Sequence, residues 1–186
     1  LQMGALAPIQ LQALQPAQIV ALQSLQLNAL TPVQIQSLTP LQLQLLTPTQ
    51  VLALNPTQLR ALSPAQWNAL RADNMAVLNT AQLQALSPSL VAAFNPTQIS
   101  ALQPEQISGL LPPQVAALGK AQIWSLSNAQ LQALTPAQIG AIRSVDLGTL
   151  LPLLRAEQIQ GLSKVQLASI QPRQLSQLTN AQVQAV

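Results

Sequence analysis

Large apolar residues recur along this chain at two positions of an eight-residue frame. One closes each unit, at Leu6, Leu14, Leu22, Leu30, Leu38 and onward through Phe94 and Ile142 to Leu150. The other stands three residues earlier, at Met3, Leu11, Ile19, Leu27, Ile35, Leu43 and onward. A spacing of three places the pair on one face of a helix but on opposite faces of a strand. The stretch Thr135 to Ile142, TPAQIGAI, shows the full unit: a polar cap, Pro, any residue, Gln, a large aliphatic, a variable residue, a small one and a large one. Residues 1–150 keep this register strictly, Leu151 to Leu154 interrupt it, and residues 155–186 hold four further octads closing on Leu162, Ile170, Leu178 and Val186.

The first half of each octad reads as a helix start. Pro suits the first helical position, where its missing N–H has no partner to lose, and it pushes the residue before it out of the α region into a capping geometry. Gln three residues after that cap completes a capping box. The signal is whole in Thr31-Pro32-Val33-Gln34, Thr39-Pro40-Leu41-Gln42, Thr47-Pro48-Thr49-Gln50 and Ser63-Pro64-Ala65-Gln66. One continuous helix would carry Pro at thirteen interior positions of this frame, at about 3 kcal/mol each, so the helix must restart in every octad. A helix of about seven residues is unstable alone, because two buried aliphatics return about 3 to 6 kcal/mol against about 1.5 kcal/mol of ordering cost per residue.

The expected fold is therefore all-α: one elongated superhelical solenoid of about twenty-two very short helices, a single array over residues 1–186. The fifth and eighth positions should fill its interior, with Trp67 in the core, and the sixth should face water. Gln34, Gln42, Gln50, Gln58, Gln66 and Gln138, all at the fourth position, are the candidate structural residues, as capping boxes joined by a ladder of side-chain amides between rungs. The alternative for this strip is a polar surface that binds a glycan or another polymer. Asn74, Leu90 and Asp146 replace Gln at the fourth position. Asp146 can accept from backbone N–H as Gln does, whereas Leu90 cannot and marks a weak rung. The interruption Leu151 to Leu154 is about one helical turn long, which suggests a jog in the superhelix or, alternatively, a hinge or docking corner.

Composition removes most chemistry. Cys and His are absent, which excludes disulfides, thiolate sites and imidazole catalysis. Only 6% of residues are charged and the net charge of +3 is spread thinly, so no basic face for nucleic acid is present. No apolar run is long enough for a membrane span, and no signal peptide is recognisable. The carboxylates Asp73, Glu105, Asp146 and Glu157 fall in first helical turns, and Arg71, Arg143 and Arg155 follow the ends of preceding helices, where the helix dipole favours each sign. No catalytic residue, cofactor site or metal site is expected, and the protein reads as not an enzyme. Trp124, at the outward sixth position, is the one candidate surface contact.

Octads such as those in LSNAQLQALTPAQIGAI, Leu126 to Ile142, resemble the tandem octapeptide arrays of large bacterial secreted or surface proteins, over the whole chain. The same period, with Pro second and aliphatics fifth and eighth, is similar at the level of fold to the short-helix superhelical repeats of the mesothelin, stereocilin and otoancorin group, although the cysteines and acidic residues of that group are missing. These resemblances imply an extracellular or cell-surface filament, stalk or adhesive scaffold. Other readings are a binding array that contacts a linear peptide or polysaccharide, and an engineered repeat scaffold. The ends are ordinary octads without polar caps, which leads to the expectation of head-to-tail self-association or of an excerpt from a longer array.

Overall fold

The computed structural model describes residues 2–186, so Leu1, one side of the expected head-to-tail junction, lies outside the described residues. Among them are twenty-two α-helices of four to six residues, two 3-10 segments, Gln2–Ala5 and Leu151–Leu153, and no strand. The helix Pro136–Ala141 shows how one octad folds. Thr135 holds an extended conformation (φ −72°, ψ 158°), Pro136 opens the helix, and Ile142 returns to extended backbone (φ −66°, ψ 140°). The chain thus turns out of the helix on its closing apolar residue and meets the next cap at once. No described residue adopts a positive φ to do this.

Fifth and eighth positions from Leu27 to Leu162, except the half-buried Leu126, form one continuous apolar core, including Trp67, and Leu11 and Ile19 belong to it as well. Each helix packs on the helix three rungs along: Pro8–Gln12 on Pro32–Ser37, that on Pro56–Ala61, and Asn128–Ala133 on Pro104–Ser108. The protein is an all-helical solenoid in which the interior rungs are covered by the turn above and the turn below, and stability sums along the stack. Among the described residues no helix is long and apolar enough to cross a membrane.

The four residues that interrupt the octad frame do not break this spacing. Leu151 and Leu154 are buried as fifth and eighth residues are, and the 3-10 segment Leu151–Leu153 packs on Asn128–Ala133 as a rung would. Counting that segment as a rung, Pro136–Ala141 still meets Ala156–Ile159 three rungs on, and Ser144–Leu147 still meets Lys164–Ala168. The segment is the second half of an octad, entered straight from the end of the previous one. The expected jog is therefore absent from the rung count and appears as a local tightening. A Cβ added to Gly140 would lie 2.5 Å from the carbonyl oxygen of Gly161, and one added to Gly161 would fall on the carbonyl of Pro136.

Backbone meets backbone there, so Gly161→Ala is expected to lower stability by about 1 to 3 kcal/mol through overpacking. Gly119→Ala serves as the control, because its added Cβ would have nothing nearer than Gln122 Oε1 at 3.6 Å. Urea midpoints of the two variants check this; equal shifts would show that the close approach at Gly161 carries no cost.

Candidate functional site: a ladder of buried glutamines

The fourth-position glutamine carries two jobs on one amide. In Gln138, Oε1 accepts the Thr135 N–H at 2.7 Å while Thr135 Oγ1 accepts the Gln138 N–H at 3.2 Å, closing the capping box. The Nε2 group turns the other way and donates to the carbonyls of Ile107 (2.9 Å), Ser108 (3.2 Å) and Leu110 (2.6 Å). Those carbonyls end the helix four rungs earlier. A helix of one turn and a half cannot satisfy all its last carbonyls internally: Ile107 O also accepts the Leu110 N–H at 3.2 Å, whereas Ser108 O and Leu110 O have no other donor among the described residues.

The same geometry recurs at every candidate residue. Gln34 reaches Leu6 at 2.7 Å, Gln42 reaches Leu11 at 2.9 Å, Gln50 reaches Leu22 at 2.8 Å, Gln58 reaches Leu30 at 2.7 Å and Gln66 reaches Leu38 at 2.7 Å. All six are buried. Helices therefore touch three rungs apart while glutamines reach four rungs back, which sets the superhelical turn between three and four rungs. The ladder of side-chain amides between rungs runs from amide to backbone carbonyl. One signal of this stood in the sequence: Glu serves a capping box as well as Gln does, yet no fourth position holds Glu. A group that must also donate disfavours the carboxylate, and the one carboxylate at a fourth position, Asp146, makes no ladder bond.

The three exceptions each resolve differently. Asn74, one methylene shorter, accepts from Arg71 N–H at 3.1 Å and makes a single ladder bond, to Leu46 at 3.1 Å. Asp146 departs from expectation. Its buried carboxylate accepts from the Arg143 side chain, at 2.8 Å from Nε and 2.7 Å from Nη2, instead of capping backbone N–H. Arg71 likewise pairs with Asp73 at 2.9 Å, so two of the three arginines placed for helix dipoles are held by carboxylates of their own octads. At Leu90 the amide is missing, and the Trp67 indole N–H donates instead to the Leu59 carbonyl at 3.2 Å, an acceptor that a glutamine at position 90 would reach. The Trp67 ring lies 5.0 Å from Phe94, which closes the Leu90 octad. The sequence placed Trp67 in the core but gave no partner for its N–H.

Trp124 is 54% exposed, with Lys120 Nζ 4.2 Å above its ring. Its side chain stands on the outer surface.

A family model described as the ALTTAQ repeat matches this chain twice, over residues 3–40 and 75–111. Both stretches lie within the strict register, and the chain is an octapeptide tandem-repeat array similar to that family. No curated protein matches it.

Proposed function

We propose that the array is a structural scaffold, a stiff stalk or filament segment of an extracellular or cell-surface protein, and not an enzyme. The observation that carries this reading is the ladder itself. Nearly every rung is tied by a buried amide to the rung four before it, which resists bending and sliding along the whole stack. The polar groups with the most exacting geometry are thereby turned inward, onto the backbone. Its resemblance to octapeptide arrays of secreted and surface proteins supports the location.

Self-association or continuation of the array fits the same chemistry. Gln10, Gln18 and Gln26 cap their own helices, but no described carbonyl accepts from their Nε2 groups. An open ladder of this kind accepts further rungs from the same chain or from another copy. Electron microscopy and light scattering over a concentration series test both parts. Rods that join end to end are the expected result. Monodisperse rods at every concentration would remove assembly, and compact particles would remove the scaffold. Protease shaving of intact source cells should release the array if it is displayed outside.

A further inference from the structure

The half-length rung leaves a notch whose chemistry specifies an occupant. Because Leu151 follows Leu150 directly, the cap, Pro, third residue and glutamine of that rung are absent from the sequence. Four rungs earlier stand Ile123, Trp124 and Leu126, whose carbonyls such a glutamine would serve. Trp124 O and Leu126 O receive no backbone or side-chain donor among the described residues, and Ile123 O receives only the Leu126 N–H, at 3.3 Å. Leu126 is also half-buried, while every other closing residue from Leu30 to Leu162 is buried. A recess of about 330 Å³ opens at this place, lined by Ile123, Trp124, Leu126, Leu131, Leu150 and Leu153 among others. Three observations thus coincide: missing residues, unserved carbonyls and an open apolar recess.

We propose that this notch binds a short peptide segment of another chain that supplies what the rung lacks: a primary carboxamide flanked by Pro or small apolar residues, as in the first half of an octad. The carboxamide N–H groups would donate to Trp124 O and Leu126 O, and the apolar part would cover Leu126 and Leu150. The recess needs a donor at its carbonyls, and no cation lines it as Arg143 accompanies Asp146, so a carboxylate in place of the amide would face carbonyl oxygens unpaired and is rejected. Trp124 and Leu153, both substantially exposed, form the rim and would be covered by the bound segment.

The test is titration of the full chain with N-acetylated, C-amidated Thr-Pro-Ala-Gln, followed by tryptophan fluorescence, in which Trp124 responds and the buried Trp67 stays constant. Saturable binding is expected, with the Thr-Pro-Ala-Glu peptide at least tenfold weaker. Inserting Thr-Pro-Ala-Gln between Leu150 and Leu151 should complete the octad, abolish peptide binding and raise the thermal midpoint. Leu153→Asp, at an exposed rim position that does not threaten folding, should weaken binding at least tenfold. Equal affinity for the Gln and Glu peptides, unchanged affinity in Leu153→Asp, or no saturable signal up to millimolar peptide would each overturn the proposal.

Discussion

Gln138→Glu is expected to destabilise the protein by about 3 to 5 kcal/mol at pH 7, although the two side chains have almost the same shape. One carboxylate oxygen can still accept the Thr135 N–H, so the capping box survives. The other would replace Nε2, which now donates to Ile107, Ser108 and Leu110, and would set an anion against three carbonyl oxygens at a site that is 1% exposed. Burial and facing carbonyls both favour the neutral acid, so the pKa of this Glu in the folded protein lies above the unfolded value of about 4.3. Between the two values the folded state binds more protons than the unfolded one, and stability falls as pH rises. The deficit should therefore be small at pH 4, where the protonated acid still donates one hydrogen bond, and full at pH 7. Urea unfolding at both values measures it. The same deficit at pH 4 and 7 would mean that the donor half of the ladder contributes nothing.

The comparison of Gln with Glu shows where the sequence was legible and where it was not. Helix starts, buried fifth and eighth positions and an outward sixth position follow from rules that operate within one octad, and residues such as Pro136, Ile139 and Ile142 stand where those rules put them. The target of the glutamine Nε2 lies 28 to 31 residues away. Its register depends on the rotation per rung, which arises from side-chain packing between turns and from no local signal. The interruption was read as one helical turn because its length matches one. Its pattern told more, since Leu151 and Leu154 are three apart, as the fifth and eighth positions of every octad are. The Leu90 octad was read as a weak rung because Leu cannot accept from backbone N–H, as a capping residue does; the donor that its ladder position also lacks comes from the Trp67 indole, 23 positions away, and the fifth-position pattern that puts Trp67 in the core assigns no task to its N–H.

Trp67→Leu installs the residue most typical of the fifth position and is nonetheless expected to cost about 3 to 5 kcal/mol. Part of this is volume: the indole is fully buried and packs on Phe94 at 5.0 Å, and Leu leaves that space unfilled. The rest is the Leu59 carbonyl, which loses the indole N–H at 3.2 Å and keeps only the Leu62 N–H at 3.3 Å, while Leu90, in the ladder position, has nothing to donate. Leu90→Gln should then act in opposite directions in two backgrounds. In the parent chain Leu59 O already accepts the Leu62 N–H and the Trp67 indole, so the new amide gains only the Leu62 carbonyl, at a site packed for an aliphatic side chain, and should be neutral or destabilising. In Trp67→Leu it restores the usual ladder, with Nε2 reaching Leu59 and Leu62 and Oε1 available to the Ser87 N–H, and should recover about 1 to 2 kcal/mol. The four proteins of this cycle, compared by urea unfolding, yield the coupling directly. Additive effects would show that Trp67 and Leu90 are independent; the expected reversal of sign would show that one indole N–H does the work of a missing rung of the ladder.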